Sequence, residues 1–248
     1  MKHYLKQSAI ALAALASMSA QAVVITFDQP IDTTNAPFAP LLPYTTAGTE
    51  IVTQGFWFDP YSAVTGRQDG DLVGAIIDGT DSANICAALV CPTNNTGTYL
   101  AGLNDGYLIF GAVDGSLLRL TSFSASFIGA QGDTLAATPG ILRISAVSAA
   151  NATLATVDFN LAGLNGAGAL SFATFANTGA LATTNAAFYR VRAAYCDTTG
   201  ACSFTSTNKG QWALDNINVT AVPEPSQWAL FGLGLAGVAA ITRRRRAA

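Results

Sequence analysis

Between residues 23 and 221 apolar side chains recur at every second position in run after run, and no stretch of ordinary helix length carries them at a 3.6-residue spacing. Residues 188–195 show the pattern: Tyr189, Val191, Ala193 and Tyr195 share one parity, Arg190 and Arg192 the other. Side chains of a strand alternate between faces, so such a run buries one face and wets the other. Similar runs lie at 23–28, 50–59, 98–101, 107–110, 117–128, 141–149, 153–161, 169–175 and 212–219, bounded by Gly, Asn and Asp. A Pro- and Thr-rich loop spans 29–47, and a Gly/Asp-rich stretch runs up to residue 96. Within 117–128, Leu118 and Leu120 are expected on one face, with Phe123, Ala125 and Phe127 on the other. Runs 141–149 and 153–161 read as a hairpin turning at Ala150-Asn151. No fixed-period repeat argues for a solenoid. About ten strands predict an all-β fold: a two-sheet β-sandwich, jelly-roll-like, whose first and last strands pair or lie side by side.

Charge narrows the functional classes. Residues 23–221 hold Arg67, Arg119, Arg143, Arg190, Arg192 and Lys209 against Glu50 and thirteen Asp, a balance of −8 that the whole-chain value of −3 conceals. Such a surface repels phosphate backbones, which argues against nucleic acid, and favours cations. The single histidine is His3, so residues 23–221 contain none. That removes Ser–His–Asp and Cys–His catalysis and nearly all zinc and iron enzyme sites. A hydrolase built here would have to pair carboxylates, with Asp59 and Glu50 as candidates. The expectation is a protein that is not an enzyme and has no catalytic residues.

Cys86, Cys91, Cys196 and Cys202 form two close pairs in the sequence. In an exported chain an even count predicts disulfides, and local pairing, Cys86 with Cys91 and Cys196 with Cys202, is preferred among three connectivities. Loops this small remove little chain entropy, so the bonds would shape loops more than stabilise the whole. A four-thiolate metal site is the alternative, although the spacings are not those of CxxC knuckles. Asp69-Gly70-Asp71, Asp78-Gly79-Thr80-Asp81 and Asn104-Asp105-Gly106 read as turns before calcium loops, since none completes a calcium-binding pattern. Phe56, Trp57 and Phe58 are consecutive, so one of them leaves the core unless both faces are covered; Trp57 is either buried or placed to stack on a sugar.

The two ends differ in character. Lys2 and Lys6 precede an apolar run at 9–16, and Ala20-Gln21-Ala22 supplies a small-x-small site. This is the layout of a signal peptide, 1–22, cut after Ala22 by signal peptidase. At the other end Val222, Pro223, Glu224, Pro225 and Ser226 open a tail, 222–248, that continues as a transmembrane helix at 227–242 and closes on Arg243, Arg244, Arg245 and Arg246. Proline stops the preceding strand. As a helix the uncharged residues 226–242 reach roughly 25 Å, slightly short of the ~30 Å hydrocarbon core. Trp228 suits the outer interface, and the Arg cluster stays cytoplasmic. Gly232, Gly234 and Gly237 allow close approach by a partner. Residues 23–221 remain as one exported domain.

Pro-Glu-Pro, an apolar span and a basic end, in that order, resemble the PEP-CTERM sorting signal of Gram-negative, exopolysaccharide-producing bacteria. The resemblance implies recognition by an exosortase, a membrane-embedded cysteine protease or transpeptidase that cuts near the Pro-Glu-Pro motif. It implies a transient inner-membrane anchor with the domain outside, then a place at the cell surface or in the extracellular matrix. Gln211-Trp212-Ala213-Leu214-Asp215 is similar to a Gln-Phe-x-x-Asp signature of one subfamily, with Trp212 in place of Phe. Ile25-Thr26-Phe27-Asp28 and Asp215-Asn216-Ile217 also resemble jelly-roll carbohydrate-binding modules that hold a structural calcium between first and last strands. Asp28, Asp215 and Asn216 are the implied ligands, against the plainer reading in which Asp215 and Asn216 end or bend a strand. Beyond that calcium no cofactor is expected. The expected function is binding or assembly with exopolysaccharide or the envelope, with a carbohydrate-binding module and a carboxylate-based glycan enzyme as alternatives.

Replacing Glu224→Ala together with Pro225→Ala is expected to leave the protein anchored at full length. Intact mass in a host with an active exosortase checks this, and a trimmed variant would refute it.

Overall fold

Nearly every alternating run is a strand in the computed structural model, which describes residues 22–80, 84–205 and 208–222. The strands are β1 (Ala22–Ile25), β2 (Leu41–Pro43), β3 (Ile51–Thr53), β4 (Phe56–Ser62), β5 (Leu72–Asp78), β6 (Leu89–Val90), β7 (Thr98–Gly102) and β8 (Gly106–Ala112). They continue as β9 (Leu117–Phe127), β10 (Gly129–Ala130), β11 (Gly140–Val147), β12 (Thr153–Leu161), β13 (Ala173–Phe175), β14 (Phe188–Cys196), β15 (Cys202–Ser203) and β16 (Trp212–Val222). Sheet A runs β13-β9-β16-β7-β5-β2; beyond the reach of β7, β1 pairs with the far half of β16. Sheet B runs β12-β11-β14-β8-β4-β3, with β15 paired to the end of β14. A ribbon of β6 and β10 stands apart, and every ladder between named strands is antiparallel.

The two sheets pack face to face, and the chain passes repeatedly between them. Between the sheets Phe27, Phe58, Phe110 and Tyr189 form a run of ring contacts at 5.1, 5.4 and 5.3 Å. The first and last strands do pair, Ala22 to Ile25 against Thr220 to Ile217. β16 continues to Val222, the residue before Pro223, whose missing N–H stops a ladder. Among the described residues no helix is long and apolar enough to cross a membrane. Residues 1–21 of the predicted signal peptide, Pro223, Glu224, Pro225 and Ser226, the predicted span 227–242 and Arg243 to Arg246 lie outside the described residues.

Three expectations about strands are corrected. Residues 50–59 are not one strand but the hairpin of β3 and β4, turning on Gln54 (φ 52°) and Gly55 (φ 83°). Two successive left-handed residues make the tight turn that matches strand twist, and glutamine is an uncommon residue there. The loop 29–47 contains β2, and the Gly/Asp-rich stretch contains β5; the two pair with each other. Leu118, Leu120, Phe123, Ala125 and Phe127 all enter the same core rather than dividing between faces. The register of β9 against β16 shifts around Ser122, and one extra residue reverses the parity beyond it. The hairpin of β11 and β12 forms as expected, with Asn151 left-handed in its turn.

Candidate functional site

Asp215 marks the point where β16 changes parity. Leu214 and Ile217 both reach the core, although three residues apart, because Asn216 between them is left-handed (φ 50°). The strand is bent, as the plainer reading of Asp215-Asn216 had it. Asp215 is buried, and its carboxylate meets four N–H donors. Oδ1 accepts the Asn216 N–H at 2.7 Å; Oδ2 accepts Asn95 Nδ2 at 2.9 Å and Asn216 Nδ2 at 3.0 Å; the Phe27 N–H also donates to the carboxylate. Burial pushes the Asp215 pKa up; the Asn216 and Asn95 donors oppose this, and the nearby Asp28 charge adds to it. Asp28 itself is exposed and accepts the Thr98 N–H at 2.6 Å. The structure places Asp28, Asp215 and Asn216 near one another, with Asn95 beside them.

These are oxygen-bearing groups of the kind that calcium takes. In the arrangement seen, N–H groups surround Asp215, so an ion would require the Asn95 and Asn216 amides to turn their oxygens inward. Among the described residues no three Asp, Glu, His or Cys side chains gather into a metal cluster.

The two pairs of cysteines form the local disulfides, Cys86–Cys91 and Cys196–Cys202. Their surroundings explain their use. The segment carrying Ile85, Cys86, Leu89 and Cys91 packs with Phe172 on a second apolar cluster, formed by Ala75, Ile77, Tyr99, Ala101 and Ala213. These alternate with core residues along the same strands, so they belong to the outer face of sheet A. That face is therefore covered. The second disulfide clamps β15 to β14 and leads directly into Phe204.

The outer face of sheet B is covered only in part: Gly48 and Thr49 meet Asp59, Tyr44 meets Tyr61, and Phe204 meets Arg143 and Arg192. Register lays two rows across it. One row runs Asp158, Arg143, Arg192, Tyr107, Tyr61; the other runs Thr156, Ser145, Arg190, Ile109, Asp59. Tyr61 and Tyr107 stand nearly parallel, 13° apart with centroids at 5.3 Å, and Tyr44 lies 6.4 Å from Tyr61. Trp57 is neither in the core nor fully exposed. It lies on this outer face against Gly111, where a Cβ would come within 2.8 Å of the indole, and 6.4 Å from Phe188. Asp59 is buried and accepts the Thr49 N–H at 3.1 Å. Burial foremost, then the Asp59 carboxylate, pushes the Tyr61 pKa well above its ordinary value.

The Asp-Gly stretches form turns and anchors, the reading preferred from the sequence, with Asp81 outside the described residues. Asp78 accepts the Thr80 N–H and hydroxyl, and Asp69 accepts those of Thr46. Buried Asp105 accepts the N–H groups of Asn208 and Gly210, which ties the loop before β16 to the turn between β7 and β8. Gln211 and Trp212 of the Gln-x-x-x-Asp stretch are buried, with the indole against Gly102. Sequence reasoning missed the meeting of Arg143 with Arg190 and Arg192. Their shared outward parity was legible, but the register that sets Arg143 opposite Arg192 was not.

Residues 221–246 match the family model of the PEP-CTERM protein-sorting motif. The motif indicates a chain that is exported and sorted to the cell surface, and implies processing by an exosortase. No curated protein matches the chain. Among solved structures it is similar to a DUF4465 family protein from Bacteroides caccae, at 13% identity and TM-score 0.50, over 82% of this chain and 100% of the other. That likeness supports the all-β architecture alone. Weaker likenesses are to the enzymatically active domain of bacteriophage CBA120 tailspike protein 4 and to the arabinose-bound α-L-arabinofuranosidase MgGH51. The first has 12% identity and TM-score 0.31, over 68% of this chain and 20% of the other; the second 12% and 0.35, over 79% and 26%.

Asp215→Ala leaves several buried N–H groups without an acceptor and is expected to destabilise the fold by about 1–3 kcal/mol. Urea denaturation of the intact protein measures this, and an unchanged midpoint would refute it. The raised pKa adds a pH test. The folded state holds the Asp215 proton more tightly than the unfolded chain, so stability falls as pH rises from the ordinary 3.8 through the folded-state value. Asp215→Asn should remove that part of the slope.

Proposed function

We propose that this chain is a non-enzymatic surface or matrix protein that binds exopolysaccharide through the outer face of sheet B, on a jelly-roll-like frame. The observation that carries this reading is the contrast between the two outer faces. Sheet A is sealed by the disulfide-bearing segment and Phe172. Sheet B presents Trp57, Tyr61 and Tyr107, each part-exposed, in company with polar and cationic side chains. Aromatic rings with polar rims suit sugars, whose faces are apolar and whose edges carry hydroxyls. The sorting motif supports the reading from another side, since it indicates an exported chain. An apolar hollow of about 770 Å³ beside Phe38, Leu41, Leu72 and Leu89 has no titratable residue in its lining and offers no acid or base. Asp59 is engaged by Thr49 and Tyr61, which favours a supporting role over a catalytic one.

The test is retention of the intact protein on exopolysaccharide purified from the producing strain. Tyr61→Ala and Tyr107→Ala should each weaken binding by about tenfold, the ratio that 1.4 kcal/mol gives. Unchanged binding in both variants would sink the proposal.

A structural calcium held by Asp28, Asp215 and Asn216 is our second reading, favoured by the convergence of two carboxylates between first and last strands. Bound there, the ion would tie β1 to β16. Calcium should then raise the melting temperature of the wild type and not of Asp215→Ala. Identical melting with calcium and with chelator would remove this reading.

A further inference from the structure

An acidic domain that collects its cations in one place is arranged for an anion. Three of the six basic residues between 23 and 221 lie side by side on the outer face of sheet B. Arg143 stands opposite Arg192, and Ser145 opposite Arg190, across β11 and β14. They line a hollow of about 280 Å³ with Ser145, Thr153 and Thr156. That is near the low end of small-ligand sites, room for a sugar ring or an acidic group rather than a long segment.

The cluster is under-compensated. Asp158 pairs with Arg143 through contacts of 2.7 Å, and its charge also reaches Arg192; the other carboxylate of the two rows, Asp59, stands beyond Ile109 and is engaged by Thr49. Arg190 uses one nitrogen on Asn151 Oδ1 at 3.2 Å, while its Nε is buried with no partner among the described residues. Arg192 makes no hydrogen bond to another described residue. Burial, then the charges of Arg143 and Arg190, lowers the Arg192 pKa, the mark of a crowded cation. Phe204 lies under both Arg143 and Arg192 at 4.3 Å and holds their guanidinium planes by cation–π contact. The Cys196–Cys202 bond sets the loop that delivers Phe204. The Arg192 guanidinium is thus held in place with its donors unengaged among the described residues, and Arg190 has engaged only one of its nitrogens there.

From this we propose that the glycan bound on this face is anionic, and that Arg190 and Arg192, with Ser145 and Thr156, bind the carboxylate of a uronic-acid sugar whose chain continues over Tyr107 and Tyr61. The inference rests on the polysaccharide reading above and names the class of its ligand. A guanidinium presents a planar fork that matches a carboxylate in two parallel hydrogen bonds. Hydroxyls beside it suit ring oxygens. The −8 balance repels any polyanion at long range, so the preference for a carboxylate rests on contact with the local positive site and on the fork geometry.

The experiment measures binding of the immobilised intact protein to polygalacturonate, dextran sulfate, dextran and single-stranded DNA at low salt. Polygalacturonate should bind at least tenfold more tightly than dextran, and the advantage should shrink as salt is raised. Arg192→Gln and Arg190→Gln should each remove about tenfold of the polygalacturonate affinity, without changing dextran binding or the melting curve. Arg192→Lys should keep part of it. Equal binding of polygalacturonate and dextran, with Tyr107→Ala still weakening both, overturns this inference and spares the polysaccharide reading. Failure of every glycan and of the strain's own exopolysaccharide overturns both. Stronger binding of dextran sulfate or DNA than of polygalacturonate overturns the carboxylate assignment. If Arg190→Gln unfolds the protein, Arg192→Gln alone decides the matter.

Discussion

The left-handed turn of Asn216 inside β16 is the constraint from which much of this fold follows. β16 is the strand where β9, β7 and β1 all meet, so its register governs most of sheet A. An uninterrupted strand would place Trp212 and Leu214 on one face and Ile217 and Val219 on the other. The bulge returns all four to the core. It also leaves backbone N–H groups without ladder partners, and a buried N–H needs an acceptor. The Asp215 carboxylate supplies one, taking the N–H groups of Asn216 and Phe27 and the Asn95 amide. One short polar pair therefore joins the end of the domain to its beginning.

The asymmetry of the two outer faces follows from where the disulfides stand. Cys86–Cys91 stiffens a segment that is mostly loop and lets it lie on sheet A with few side chains of its own. Cys196–Cys202 does the opposite for sheet B. It extends β14 by a short partner, β15, and stops there, so the cover reaches Phe204 and ends. Aromatic and guanidinium groups further along the same strands stay accessible. A surface ion pair such as Arg143–Asp158 contributes little to stability when a third or more of each side chain is exposed. This pair stands beside a hollow that two further arginines line.

Much of the architecture was legible because alternation is a local property. The hairpin at Asn151, the outward parity of Arg190 and Arg192, the pairing of first and last strands and the local disulfides all appear as read. Two of the misreadings are failures of parity, whereas β2 and β5 were missed because short strands inside Pro-, Thr- and Gly-rich stretches carry too few alternating residues to stand out. A one-residue irregularity reverses parity and leaves no mark in composition. Gln54-Gly55 hides a hairpin inside an alternating run, and the shift near Ser122 gathers Leu120 and Phe123 onto one face.

The residues themselves determined that the chain is all-β, that its termini differ in kind from its middle, and that its tail carries a sorting motif. Each of these depends on neighbours within about twenty positions. Only the tertiary structure decided which charges meet. Arg143 and Arg192 are far apart in sequence and become cross-strand neighbours through the register of β11 and β14. Asn95 and Asp215 meet across 120 residues by a single hydrogen bond. Such encounters depend on long-range register, which is set by packing of the whole sandwich and by no local pattern.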